Sequence, residues 1–182
     1  MIQGAYLPLV MKRGVIAPDL IVDQLLVGRE AITVVIRNIG PAPVVDAFWV
    51  DVYLDPEPPP ARVNQIWPDL GDQGLVWGVT ILPLKVGQPL TLTMTGPTYR
   101  ADLSRFRPPL TRTALIYAQV DSVNRQTSFG GVLESHELIG RPYNNISSPA
   151  FGPNLSTPAL SPPAPHLKLN RSRTLPDRLG KE

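Results

Sequence analysis

Proline is the feature that most narrows what this chain can fold into. It supplies 22 of 182 residues, about twice its average share. An interior proline costs a helix roughly 3 kcal/mol. Breakers at this density argue against a helical bundle and favour short strands joined by long surface loops. Apolar residues make up 43% of the chain, enough to fill one core. A length of 182 residues fits one domain with tails and is too short for two full ones. Cysteine is absent. Disulfides, thiolate zinc sites, iron–sulfur clusters and cysteine nucleophiles are therefore excluded, and the usual marker of an exported domain is missing too.

Charge is unevenly placed. Residues 1–151 carry a net of −1, whereas residues 152–182 carry a net of +3 from Lys168, Arg171, Arg173, Arg178 and Lys181 against Asp177 and Glu182. A basic tail can bind nucleic acid. No aromatics interleave these charges as a nucleic-acid platform requires, so the tail reads as a solvated linker and no nucleic-acid partner is expected. No apolar run reaches the 18 or so residues that span a bilayer. The opening Met1–Lys12 lacks a basic start, and Pro8 interrupts its apolar stretch. It makes a poor signal peptide. The expectation is that export information precedes this chain, or that the chain is a piece of something longer.

The strand signals follow in order. Asp19–Val27 is apolar-rich, Gly28-Arg29-Glu30 breaks it, and β-branched Ala31–Asn38 follows. Two such runs around a short glycine turn predict a hairpin. Phe48–Asp55 alternates with period two: Phe48, Val50, Val52 and Leu54 form an apolar face, and Trp49, Asp51, Tyr53 and Asp55 an amphipathic one. A long irregular loop over residues 56–73 opens on Pro56-Glu57-Pro58-Pro59-Pro60, which cannot join a ladder centrally. Further strands are expected at Gly74–Thr80, Pro89–Thr95, Thr113–Asp121 and near Asn144–Phe151, with one helical turn at most, in Ala101–Phe106. About seven short strands predict an all-β, immunoglobulin-like antiparallel sandwich. The division expected is an extended N-terminal segment over 1–17, the sandwich over 18–151 and a proline-rich basic tail over 152–182.

Three of these stretches, Pro18-Asp19-Leu20-Ile21-Val22, Ile32–Gly40 and Val50-Asp51-Val52-Tyr53-Leu54-Asp55, together resemble the CARDB family of bacteria and archaea, named for a proposed role in cell adhesion. Tyr117–Asp121, Asn124, Leu133-Glu134-Ser135-His136-Glu137 and Asn144-Asn145 resemble its closing pattern. The resemblance covers about residues 18–148. This sequence departs from the pattern in its longer, tryptophan-bearing loop over 56–80, in His136 where the family usually has asparagine, and in the six residues Leu138–Tyr143 before the paired asparagines. Tyr6-Leu7-Pro8-Leu9-Val10 is similar to a short motif in exported proteins of Chloroflexota-type bacteria. The resemblance implies a sandwich on an exported or cell-surface protein, without enzymatic activity.

No catalytic constellation stands out. His136 and His166 are the only histidines and read as structural. Asp121, Asn124, Glu134 and Glu137 cluster near one loop, with Asp51 and Asp55 on a strand that could neighbour it. Calcium takes six to eight oxygens from such loops, so these four are the calcium candidates. The plainer reading has them bonding loop amides at the sandwich end, with no cofactor. Trp67 and Trp77 are candidates for stacking a sugar, against the plainer reading that tryptophans plug the core or cover the long loop. Gly130-Gly131 lacks the lysine and strand–turn–helix context of a phosphate loop. Sequons at Asn145, Asn154 and Asn170 read as chance matches. Tyr6, Leu7, Leu9 and Val10 are candidates for adding a strand to the open sheet edge of a neighbour. The leading expectation is a non-catalytic extracellular module that spaces, presents or adheres to a protein or surface partner. The alternatives are a filament subunit and a carbohydrate-binding module.

Overall fold

The computed structural model describes residues 15–106 and 108–152. Its strands are β1 (Leu20–Val27), β2 (Ile32–Asn38), β3 (Phe48–Leu54), β4 (Gln73–Val79), β5 (Pro89–Leu92), β6 (Leu115–Val120) and β7 (Ala150–Phe151). They form two antiparallel sheets, ordered β1-β2-β5 and β4-β3-β6-β7. The fold is the immunoglobulin-like β-sandwich that the strand spacing predicts. The β1–β2 hairpin closes with Gly28 N–H donating to Ala31 O at 2.9 Å. A register shift between Val22 and Gln24 leaves Asp23 out of the ladder, where it pairs with Arg37 at 2.6 Å. Alternate residues of the two sheets fill one core: Leu20, Ile32, Val34 and Ile36 from the first, and Val50, Val52, Trp77, Ile116, Ala118 and Val120 from the second.

Several elements differ from the sequence expectation. β5 stops at Leu92 rather than Thr95, because Thr93 O turns away to accept from Trp77 Nε1 at 2.9 Å and from Gly96 N–H at 3.1 Å. The last strand shrinks to Ala150–Phe151. Pro149 has no N–H to give, and upstream only an isolated bridge between Gln119 and Ile146 joins β6. Two four-residue helices appear that the pattern does not announce, α1 (Trp67–Leu70) and α2 (Ser135–Leu138). Helices this short rest on their caps and packing rather than on periodicity.

The larger difference lies in β3, which is buried at all seven positions. Its second face is not amphipathic at a surface. The 56–73 segment lies across it as a third layer, and Trp49, Tyr53, Ile66, Trp67, Leu70, Val76 and Val123 form a second apolar cluster. Asp51, fully buried there, accepts from Trp67 N–H at 3.2 Å and from the Ser122 hydroxyl at 2.5 Å. Trp67 packs on Gly74, where an added Cβ would fall 2.2 Å from Trp67 Cγ. Glycine is required there by close approach rather than by backbone angle. We predict that Gly74→Ala displaces the indole and destabilises the domain by about 1–3 kcal/mol, the usual cost of overpacking. Trp67→Ala should cost about 3–5 kcal/mol. Urea unfolding followed by circular dichroism checks both. Wild-type midpoints in both variants would mean that the 56–73 layer is not part of the cooperative unit.

Candidate functional site

The chain enters the sandwich at the end where β2 and β6 finish. Pro18 directs the chain into β1, and Asp19 and Leu20 meet the 121–149 loop, more than a hundred residues downstream. Leu20 N–H donates to Glu134 Oε2, and Ser135 N–H donates to Pro18 O at 2.8 Å. α2 sits over this junction. Its first turn is closed by Glu137 Oε2, which accepts from Glu134 N–H at 3.0 Å, half of a capping box.

Side chains converge around Asp19. The Ser135 hydroxyl donates to its Oδ2 at 3.0 Å, Asn144 Nδ2 donates to its Oδ1 at 2.9 Å, and His136 Nδ1 lies 3.2 Å from the same Oδ1. His136 Nδ1 is also 3.9 Å from Glu134 Oε2. Asn145 Nδ2 donates to Glu134 Oε1 at 2.5 Å. Asp19, Glu134 and His136 thus bring one donor atom each to within 4.8 Å of one another, a spacing that can hold a metal ion. They do not form a hydrolytic triad. The Ser135 hydroxyl gives its hydrogen bond to Asp19 and not to His136, so no base is set to take its proton.

Asp121 is the second buried acid of this end. Gly131 N–H and Val132 N–H donate to its two oxygens at 2.7 and 2.9 Å. Its φ is 49°, and Asp55 and Asn64 are the other described non-glycine residues with positive φ. Gly130, at φ 90°, faces it closely: an added Cβ would fall 2.4 Å from Asp121 Oδ2. Burial pushes the Asp121 carboxyl up to about 8, against the pull of those two amides. Burial likewise pushes Glu134 up to about 9; Leu20 N–H and Asn145 oppose the rise, and nearby Asp121 adds to it. Glu137 is raised by burial as well.

Of the four calcium candidates, Asp121, Glu134 and Glu137 come to this end, and each accepts from backbone amides. Asn124 belongs elsewhere. Its N–H donates to Asn64 Oδ1 at 2.9 Å, and its own Oδ1 accepts from Gln126 N–H at 3.1 Å. Asp51 lies under the 56–73 layer. Asp55 lies at the opposite end of the sandwich, bonded to Leu115 N–H at 2.7 Å and paired with Arg112. The expectation that the strand could bring both acids beside the cluster is corrected for Asp55, whereas Asp51 meets the loop through Ser122, the residue after Asp121. Sugar stacking is corrected as well, for Trp67 and Trp77 are 2% and 0% exposed. Trp67 Nε1 donates to Leu103 O at 3.0 Å, and the Trp77 ring meets Tyr99 at 5.7 Å. Neither offers a face to a ligand. Asn145, the one sequon within the described residues, is buried. Tyr6, Leu7, Leu9, Val10 and His166 lie outside the described residues. The sequence reading missed Asp19 as a partner of this cluster. No local signal brings it in, since its partners His136 and Asn144 lie more than a hundred residues downstream.

The raised carboxyls set a direction for pH. In the unfolded chain Asp and Glu ionise near pH 4. The folded state keeps protons that the unfolded state releases, so stability falls as pH climbs from about 4 towards 8–9. In buffer with EDTA, we predict a higher urea midpoint at pH 5 than at pH 8, a difference on the order of a few kcal/mol. Asp121→Asn should flatten the slope. An unchanged slope in that variant would mean that Asp121 titrates normally.

No protein-family model matches the chain, and no curated protein matches it. Among solved structures, the chain is similar to a CARDB domain from Pyrococcus furiosus that was crystallised in complex with di-metal ions. The match has 21% identity, spans 76% of this chain and 90% of that one, and has a TM-score of 0.40.

Proposed function

We propose that this protein is a non-catalytic, extracellular or cell-surface structural module that carries load between, or holds apart, the segments on either side of it and so serves adhesion to a protein or surface partner. The observation that carries this reading is the placement of the sandwich's two ends. β1 starts beside the end of β6, where Leu20 N–H reaches Glu134 and Val120 N–H reaches Asn145 O. β7 finishes at the far end, where Phe151 pairs with Leu115 and Gly152 N–H donates to Ala114 O at 2.9 Å. The β1–β2 turn is at that far end as well, with Leu110 N–H donating to Arg29 O. The chain therefore enters at one pole and leaves at the other. Tension along the chain loads the β1–β2 and β6–β7 hydrogen bonds in shear, all together, rather than unzipping them singly. No described helix is long and apolar enough to cross a membrane.

Pulling a single molecule between residues 16 and 152 should give one force peak, followed by release of on the order of 450 Å of chain. Extension without a peak, or in small steps, would reject the load-bearing reading. Protease shaving of intact source cells should remove the protein. Full protection would reject the surface location.

A second reading is self-assembly, favoured by the open edges that β1 and β5 present at the two sides of the three-stranded sheet. Tyr6, Leu7, Leu9 and Val10 of one copy would add along such an edge of the next. Leu7→Asp with Leu9→Asp should then abolish high-mass species in light scattering while leaving the circular dichroism spectrum intact. Assembly at wild-type levels would exclude it.

A further inference from the structure

We propose that Asp19, Glu134 and His136 form a binding site for one zinc-type divalent cation, completed by the side-chain oxygen of Asn145, and that the ion ties the start of β1 to the α2 loop. The argument begins with donor spacing. Tetrahedral zinc holds nitrogen and oxygen ligands at about 2.0–2.2 Å, which places neighbouring ligand atoms about 3.4 Å apart. His136 Nδ1 lies 3.2 Å from Asp19 Oδ1 and 3.9 Å from Glu134 Oε2, on either side of that value. The donor set is two carboxylates and an imidazole, which suits zinc. Calcium takes six to eight oxygens, several from water, and Glu134 and His136 are almost wholly buried.

An independent observation comes from the paired asparagines. Asn145 is 1% exposed and aims its amide at Glu134, with Asn144 doing the same at Asp19. Each gives its N–H to a carboxylate, and each is left with a side-chain oxygen buried without a partner. A buried acceptor without a donor is destabilising. A cation beside Glu134 offers a partner to the Asn145 oxygen. Turning the Asn145 amide over brings its oxygen to the ion as a fourth ligand, in a place where the carboxylate alone would repel it. His136 ligates through Nδ1 as the neutral imidazole with its hydrogen on Nε2, and a proton on the Glu134 carboxyl leaves to solvent when that group ligates. The loop ligands lie more than a hundred residues from Asp19, so the ion closes a long loop.

The test uses the full chain, stripped with EDTA and dialysed. Zinc chloride should bind at one ion per chain by calorimetry and raise Tm by several degrees, as ligation of the native state alone requires. Calcium chloride should leave Tm unchanged. His136→Gln should weaken zinc binding at least about tenfold, whereas His166→Gln should leave it as in wild type. Cobalt(II) added to the wild-type protein should give the intense visible bands of a tetrahedral site, a readout that needs no variant to fold. Failure of zinc to bind stoichiometrically, equal stabilisation by calcium, retention of affinity in His136→Gln, or a weak octahedral cobalt spectrum would each overturn the proposal.

Discussion

Backbone amides in proline-broken loops have no ladder to join, and in this protein buried carboxylates and carboxamides take its place. Glu134 receives Leu20 N–H, Asp121 receives Gly131 and Val132 N–H, and Asp51 receives Trp67 N–H. Asn38 does the same with its amide, accepting from Asp19 and Gly40 N–H and donating to Ala42 O and Leu84 O. A buried amide left without a partner is expensive. These few side chains therefore decide where three long loops can lie. The sheets supply a frame, and the buried polar groups fix the loops to it.

The two ends of the sandwich differ as a result. At the pole where β1 begins, acids and amides are buried together, and burial raises two of the acids, Asp121 and Glu134, well above the ordinary carboxylate range. At the other pole the acid is Asp55, half-open and paired with an exposed Arg112. Surface pairs of that kind are worth little, at roughly 0–1 kcal/mol. The chemistry worth probing is confined to the first pole.

The frame was legible in the chain because its signals are local. Alternation over Phe48–Leu54, the β-branched run through Ile36 and the glycine turn at Gly28 each lie within a few residues. What was not legible depends on contacts distant in sequence. Trp49, Asp51 and Tyr53 read as an amphipathic face, and nothing nearby reveals that the 56–73 segment folds back over them. The proline run over Pro56–Pro60 reads as breaking a ladder, but it does not say where the broken segment packs. Asp121, Glu134 and Glu137 were legible as a group, being close in the chain. Asp19 was not, since its partners His136 and Asn144 lie more than a hundred residues away. His136 alone carries no hint of the two carboxylates beside it.

Antibody domains pin their second and sixth strands together with a disulfide. The corresponding β2 and β6 of this protein offer Val34, Ile36, Ile116 and Ala118 to the shared core instead. A sandwich closed by side-chain packing alone has no thiols to scramble. Its core is therefore indifferent to whether the surroundings oxidise or reduce thiols.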